Sequence, residues 1–187
     1  LKAALKKEPA NPGNIVLFSN LAAIQRHLKK YDEALTSYNI VLSKYPTSVN
    51  ALHNRADLYC EIDSLNLALR DYNTILLAEQ DNIEALRRRA FIYMNKGDLD
   101  NAEYDFVKIK QVSPDKLEGD MGLALILKRR DKWEEALELY SDLLYENRTN
   151  TELFINRAEC YLQQKKLAKA LDDLDKAVQD KSVNPCR

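Results

Sequence analysis

The chain has 187 residues and a formal net charge of −1, so no overall field gathers nucleic acid or acidic membranes around it. Hydrophobic residues make up 45% of the chain, while Gly and Pro number only 4 and 5. This composition excludes global disorder and favours a helical fold with a packed core. No apolar run approaches the roughly 20 residues that span a bilayer, and no signal peptide is recognisable.

The chain starts at Leu1 rather than at Met, so we expect it to be part of a longer protein. Its three cysteines, Cys60, Cys160 and Cys186, are odd in number and widely spread. Such a set is not a disulfide framework. It favours a reducing compartment, and we expect a cytoplasmic location.

Alanines recur along the chain in two columns with a period of 34 residues. The first column holds Ala34, Ala68, Ala102, Ala136 and Ala170. The second runs twelve residues earlier, at Ala22, Ala56, Ala90, Ala124 and Ala158. Helices that cross closely need a small residue where their backbones approach each other. One alanine column on each of two helices therefore predicts a tight helical hairpin.

Two columns of bulky residues have the same period. One fills the space beside the alanines, at Tyr38, Tyr72, Phe106, Tyr140 and Leu174. The other opens the second helix of each hairpin, at Tyr31, Leu65, Leu99, Trp133 and Leu167. The columns define five repeats, at 15–48, 49–82, 83–116, 117–150 and 151–184. Each repeat carries two apolar runs at helical spacing, which in the first repeat cover 15–28 and 31–44.

Helix boundary signals agree with this division. Polar residues suited to an N-cap stand just before the first helices, at Asn14, Ser48, Asn82 and Asn150. Pro46 and Pro114 follow second helices, where proline ends a helix. Gly97 lies in the turn between two paired helices.

The period of 34, the alanine columns, the aromatic column and the terminal prolines together resemble the tetratricopeptide repeat family. The resemblance covers 15–184 in five contiguous copies. It implies an all-α fold, a right-handed α-α superhelix of stacked antiparallel hairpins. It also implies that the first helices line a concave groove that grips extended or helical partner segments. Residues 1–14 resemble the end of a truncated preceding repeat with a linker, and 185–187 form a tail.

The start of the fourth repeat departs from the pattern, with Gly119, Asp120 and Gly122 where other repeats carry mostly larger residues. Glycine costs about 1 kcal/mol in a helix interior. The helix could therefore start late, or another group could approach its backbone closely. Close packing by a neighbouring helix is the favoured explanation.

No enzyme motif and no cofactor site is recognisable. Four glycines leave no phosphate-binding loop. His53 and Cys60 are seven residues apart and could share one helix face, but neither a third metal ligand nor an orienting group accompanies them. We therefore expect a non-catalytic protein that binds other proteins.

The family pattern assigns six places of each repeat to the groove. The candidate peptide-binding residues among them are His53, Asn54, Arg87, Arg88, Phe91, Met121, Leu125, Lys128 and Arg129. Repeats three and four combine these cations with apolar side chains. These are Phe91, Met121 and Leu125, together with Met94. An apolar anchor beside arginine is what a peptide-binding hot spot needs. We expect a peptide with acidic and apolar side chains to dock there. The alternative is that Phe91 and Leu125 only pack between helices.

A nucleic-acid-binding repeat protein is the alternative function, using Arg87/Arg88 and Lys128/Arg129. Net charge opposes it, and so do acids on the same surface, namely Asp57, Glu84, Glu118 and Glu159. A carboxylate clamp for chaperone C-termini is also disfavoured. Its five places hold Ser19, Ala23, Asn54, Glu84 and Arg88, of which only Asn54 and Arg88 match.

Two structural predictions complete the pattern. Too few residues follow the fifth repeat to cover it, so Leu171, Leu174 and Val178 should be partly exposed. Arginine at the seventh place of a repeat is accompanied by aspartate sixteen residues later, in the pairs Arg55–Asp71, Arg89–Asp105 and Arg157–Asp173. Repeats one and four have Leu21 and Leu123 instead, without the acid. We predict intrahairpin Arg–Asp bridges that are structural and do not bind the partner.

Overall fold

The computed structural model describes residues 12–115 and 117–182, which form ten α-helices and no β-strand. The helices are α1 (Pro12–His27), α2 (Tyr31–Lys44), α3 (Val49–Glu61), α4 (Leu65–Ala78), α5 (Ile83–Asn95), α6 (Leu99–Val112), α7 (Leu117–Arg129), α8 (Trp133–Glu146), α9 (Thr151–Gln163) and α10 (Leu167–Ser182). The predicted all-α architecture of five helix pairs is confirmed. Residues 1–11 and the tail at 185–187 lie outside the described part of the chain.

The chain divides into two compact bodies, Leu1–Ile92 and Tyr93–Arg187, with the division inside α5. The N-terminal body holds α1 to α4 and most of α5. The C-terminal body holds the end of α5 and α6 to α10. Within the described residues, no helix is both long enough and apolar enough to cross a membrane.

The turn inside each hairpin repeats one backbone conformation. One residue per turn has a positive φ, between 56° and 78°, at Lys29, Asp63, Gly97, Asp131 and Lys165. These positions are 34 residues apart, and the second helix begins two residues after each of them, at the predicted bulky residue. The turn at Gly97 is confirmed. Aspartate tolerates left-handed backbone, but lysine does so rarely, so the hairpin geometry imposes it at Lys29 and Lys165.

The alanine columns lie in the core as predicted. All ten alanines are at most 1% exposed. The bulky residues beside them are equally buried in four repeats, at Tyr38, Tyr72, Phe106 and Tyr140, whereas Leu174 is 37% exposed. Each helix pair therefore closes on small residues, and one large side chain fills the space beside them.

Two of the predicted N-caps form their hydrogen bonds. The Ala85 N–H donates to Asn82 Oδ1 at 3.0 Å, and the Leu153 N–H donates to Asn150 Oδ1 at 3.1 Å. Both bonds satisfy a backbone amide that the first helical turn leaves without a partner.

The other boundary residues differ from this pattern in part. Ser48 precedes α3 but makes no side-chain cap bond. The prediction for Asn14 is wrong, because α1 already begins at Pro12. A proline suits the first turn, where its missing N–H leaves nothing unsatisfied. Pro46 and Pro114 follow the ends of α2 and α6, as predicted.

The glycines of the fourth repeat lie under its neighbour α6. Helix α7 begins at Leu117 and does not start late. A Cβ at Gly119 would lie 2.8–2.9 Å from backbone and Cβ atoms of Lys110, and one at Gly122 would lie 2.0–2.3 Å from the Phe106 ring. Close packing by a neighbouring helix is therefore confirmed as the reason for these residues.

One face of the last helix is open. Leu171, Leu174 and Val178 are 61%, 37% and 67% exposed, whereas Ala170 and Ala177 on the same helix are buried. The predicted exposure of the three apolar residues is confirmed.

Candidate partner-binding surface

Ion pairs connect the first helices of the N-terminal body. Arg26 on α1 donates from Nε and Nη2 to Glu61 Oε1 on α3, at 2.8 and 2.6 Å. Arg88 on α5 lies 3.9 Å, Nε to Oδ1, from Asp57 on α3. Three successive first helices therefore share one charged surface, which we call the ladder surface.

Asp57 is the centre of this ladder surface. Its carboxylate accepts a 2.6 Å hydrogen bond from the Tyr72 hydroxyl. It also lies 3.8 Å from Arg26, 3.7 Å from His53 and 3.9 Å from Arg88. Burial, followed by the bond to Asp57, raises the pKa of Tyr72 far above its ordinary value. Asp57, one of the acids that oppose nucleic-acid binding, therefore interacts with residues of all three first helices of the ladder surface.

Glu84 pairs with both arginines predicted for the hot spot. Arg88 Nε donates to its Oε1 at 2.8 Å, and Arg87 Nε donates to its Oε2 at 3.0 Å. Burial raises the pKa of Glu84, but the two arginines lower it further, and the net shift is downward. The side chains of Arg87 and Arg88 remain 33% and 44% exposed. They are accessible, but their charge is compensated locally.

In the C-terminal body only one of the two predicted cations is available. Lys128 is 12% exposed and binds Glu159 on α9, and it also donates to Asn156 Oδ1 at 2.8 Å. Arg129 is exposed and forms no ion pair within the described ranges. Arg130, the third member of the basic run, pairs with Asp100 and Glu103 at 2.6 and 2.8 Å. Two of the three basic residues at 128–130 are therefore paired with carboxylates.

The predicted apolar residues also separate into two groups. Phe91 is 39% exposed, whereas Met94 is only 6% exposed. The prediction that Met94 faces the groove is wrong, because its side chain is buried. Met121 packs partly against the core of the C-terminal body, and Leu125 is half-buried. Because Phe91 and Met121 belong to different bodies, docking across repeats three and four stays a prediction.

The remaining candidates are half-buried. Asn54 donates to the Asn50 carbonyl of its own helix at 2.8 Å. His53 lies between two carboxylates, with Nδ1 3.7 Å from Asp57 and Nε2 3.6 Å from Glu84. No group of three His, Cys, Asp or Glu side chains that could hold a metal occurs among the residues searched, which are those the structure describes.

The thiols lie in surroundings that disfavour the thiolate. Burial raises the pKa of Cys160 to about 11. Burial, followed by the charge of Asp57, raises the pKa of Cys60. Since the thiolate is the nucleophile, neither cysteine is activated in the way a catalytic thiol requires.

We expect Cys160 to react with iodoacetamide about a hundredfold more slowly at neutral pH than the same thiol in the unfolded chain, because its thiolate fraction is that much smaller. Cys60, which is only half-buried, should react faster than Cys160 but still more slowly than when unfolded. Site-resolved mass spectrometry measures both rates. Faster reaction of Cys60 in the folded protein would indicate an activated thiol and contradict its raised pKa.

The predicted Arg–Asp bridges form in two repeats. Arg55 donates from Nε and Nη2 to Asp71 at 2.8 and 2.7 Å. Arg157 donates to Asp173 in the same way, at 2.8 and 2.7 Å. The hydrogen bonds to Asp173 raise the pKa of Arg157 above its ordinary value. Arg89 belongs to the N-terminal body and Asp105 to the C-terminal one, so that pairing stays a prediction.

The three arginines of the predicted pairs also donate hydrogen bonds to the preceding hairpin, which the sequence pattern had not indicated. The acceptors lie sixteen residues earlier, on the preceding hairpin. The bonds are Arg55 Nη1 to Asn39 Oδ1 at 2.6 Å, Arg89 Nη1 to Asn73 Oδ1 at 2.6 Å and Arg157 Nη1 to Ser141 Oγ at 3.2 Å. The sequence contained a signal for these bonds. In the fourth repeat Leu123 replaces the arginine, and the residue sixteen places earlier is the apolar Val107. These arginines join adjacent hairpins and are structural.

Comparison with known proteins places this arrangement in a family. Models of the tetratricopeptide repeat match residues 18–48 and 121–185. A solved tetratricopeptide repeat protein from Parabacteroides merdae is 37% identical, with a TM-score of 0.85, over 96% of this chain and 70% of that one. The chain belongs to the tetratricopeptide repeat family.

More distant solved structures share the fold. MamA matches with a TM-score of 0.72 at 15% identity, over 90% of this chain and 92% of that one. YrrB, described as a tetratricopeptide repeat protein with an unusual peptide-binding site, matches with a TM-score of 0.68 at 16% identity, over 97% and 92%. No curated protein matches the chain.

Proposed function

We propose that the chain is a non-catalytic scaffold that holds a partner protein or peptide on the surface of its first helices. The ladder surface carries this proposal. Arg26 and Arg88 each pair with two carboxylates and remain partly exposed, and Phe91, three residues after Arg88 on the same helix, is also exposed. A surface fixed before binding loses less conformational entropy when a partner docks. The peptide-binding site named for YrrB agrees with this function.

The partner chemistry follows from what each body leaves available. In the N-terminal body, Phe91 offers apolar area. In the C-terminal body, Arg129 offers an exposed cation. We therefore propose a partner with apolar and acidic side chains. Nucleic acid is a weaker candidate, because Glu84, Asp57 and Glu159 pair with Arg87, Arg88 and Lys128. We also propose a reducing compartment, the cytoplasm, in keeping with the free thiols of Cys60 and Cys160.

Selection of peptides from a displayed random library tests the proposal. We expect the selected peptides to be enriched in acidic and apolar residues. Phe91→Ala and Arg129→Glu should each weaken binding about tenfold in calorimetry, because removing a hot-spot contact costs upwards of 1 kcal/mol. Arg129 suits a charge reversal better than Arg88, whose reversal would also disturb Glu84 and Asp57.

Arg70→Glu is the matched control. Arg70 is an exposed arginine on the second helix α4, so its reversal changes net charge equally without touching the first helices. Circular dichroism should show unchanged helicity for all variants. Equal weakening by Arg70→Glu, or no weakening by either test variant, would place the binding surface elsewhere.

A further inference from the structure

Packing of one hairpin on the next joins two apolar half-faces, as the α2–α3 junction shows. Leu58 and Ile62 of α3 hold the tenth and fourteenth places of their repeat, and they pack into one core cluster with side chains of α2. Those side chains are Tyr31, Leu35 and Tyr38, at the seventeenth, twenty-first and twenty-fourth places. Each half of the junction thereby keeps the other from water.

Helix α1 leaves its half of such a junction uncovered. Ile24 and Leu28 hold the tenth and fourteenth places of the first repeat and are 56% and 64% exposed. In the other four repeats the tenth place is at most 4% exposed, at Leu58, Ile92, Ile126 and Cys160. Leu17, at the third place, is also exposed, and the same place is buried in the other four repeats. We call Leu17, Ile24 and Leu28 the α1 face.

Helix α10 leaves the other half uncovered. Leu167, Leu171 and Leu174 hold the seventeenth, twenty-first and twenty-fourth places of the fifth repeat, and all three are exposed. Val178, at the twenty-eighth place, is 67% exposed, whereas the leucines at that place in repeats one, two and four are at most 8% exposed. We call these four residues the α10 face. One chain therefore carries both halves of a hairpin junction, and both are open.

The α6–α7 junction shows how the two halves align. A Cβ on Gly119, at the third place, would lie 2.8 Å from the Cβ of Lys110 at the twenty-eighth place of the preceding repeat. Arg130, at the fourteenth place, pairs with Glu103 at the twenty-first place at 2.8 Å. The two helices therefore run antiparallel, with the third place on the twenty-eighth and the fourteenth on the twenty-first.

We infer that the α1 face of one copy of this chain docks on the α10 face of a second copy. The same alignment places Leu17 on Val178 and Leu28 on Leu171, so each contact pairs apolar side chains and removes them from water. A second copy is the occupant because the chain itself supplies the complementary half, in the alignment that its internal junctions use.

Each copy contributes a different face to this contact, so further copies can add at the faces that stay free. The inference goes beyond the proposed function and is independent of it, because neither face contains a residue assigned to the partner.

One position in the contact is mismatched. The twenty-fifth place supplies an acceptor for the arginine at the seventh place of the next repeat, as in the bond from Arg55 to Asn39. Across the inferred contact the seventh place holds Leu21 and the twenty-fifth holds the exposed Asp175. Covering a carboxylate with an apolar side chain disfavours docking, and one helix pair is a small interface. We therefore expect a dissociation constant on the order of 100 μM.

Sedimentation velocity at concentrations from about tenfold below to about tenfold above that value tests the contact. We expect the sedimentation coefficient of the wild-type chain to rise with concentration. Ile24→Glu blocks only the α1 face and Leu171→Glu only the α10 face, so each variant alone should stay monomeric. Their equimolar mixture should form a one-to-one dimer and nothing larger, because one intact face of each kind remains. A monomeric wild-type chain, or a mixture that stays monomeric, would overturn the inference.

Leu77→Glu is the matched control, because Leu77 is an 83% exposed leucine on α4 outside both faces. It should leave self-association unchanged, and circular dichroism should show equal helicity for all three variants. Asp175→Val should tighten self-association about tenfold, since it replaces the mismatched carboxylate by the residue that stands at this place before Leu123. Adding Ile24→Glu should abolish that gain. Association that Leu171→Glu removes but Ile24→Glu leaves intact would mean that two α10 faces pair with each other, which contradicts the inference.

Discussion

Asp173→Ala should lower the free energy of unfolding by about 3 kcal/mol, the cost of breaking a largely buried ion pair by removing one partner. The Asp173 side chain is 1% exposed and that of Arg157 is 16% exposed. The remaining bond from Arg157 to Ser141 supplies no negative charge. The guanidinium would therefore stay largely desolvated, with only the weaker charge interaction with Asp172 opposing it. Chemical denaturation followed by circular dichroism measures the loss.

The adjacent Asp172 provides the control. Its side chain is 64% exposed and pairs with Lys176 four residues later at 2.6 Å. Removal of such a surface pair costs about 0.3–0.5 kcal/mol. Replacing Arg157 and Asp173 together by Leu should recover most of the loss, because no uncompensated charge remains. Similar losses for Asp172→Ala and Asp173→Ala would show that the buried bridge adds no more stability than a surface pair.

The 34-residue period and the columns of alanine and bulky residues predicted most of the fold, because every hairpin buries equivalent residues in the same way. Alanine at two fixed places allows the helices to approach, and this requirement leaves a trace in the sequence. The left-handed turn conformation at Lys29 and Lys165 left no such trace. The geometry of the turn imposes it, and residue preference predicted only the turn at Gly97.

The candidate surface was predicted less completely, because a place in a repeat fixes which face a residue lies on but not its partners. The pairing of Glu84 with Arg87 and Arg88 lay within reach of sequence reasoning, since residues three and four apart on a helix are neighbours. The pairs of Arg130 with Asp100 and Glu103 were not, because they join different helices. The burial of Met94 likewise depends on packing that the repeat pattern does not encode.

Gly122→Ala should destabilise the protein by about 2 kcal/mol, because overpacking a well-filled core costs about 1–3 kcal/mol. The added Cβ would lie 2.0–2.3 Å from the Phe106 ring, and Phe106 is only 1% exposed, so the ring has little room to move. Helix propensity acts in the opposite direction, favouring alanine by about 1 kcal/mol. A net loss in thermal or chemical denaturation therefore measures the packing of α6 on α7.

A double-mutant cycle with Phe106→Ala separates the two effects. Phe106→Ala alone should cost about 3–5 kcal/mol by leaving a cavity. In that background the space beside residue 122 is open, so Gly122→Ala should be neutral or stabilising, and the coupling should exceed about 1 kcal/mol. Stabilisation by Gly122→Ala in the wild-type background would mean that the ring does not cover the α7 backbone.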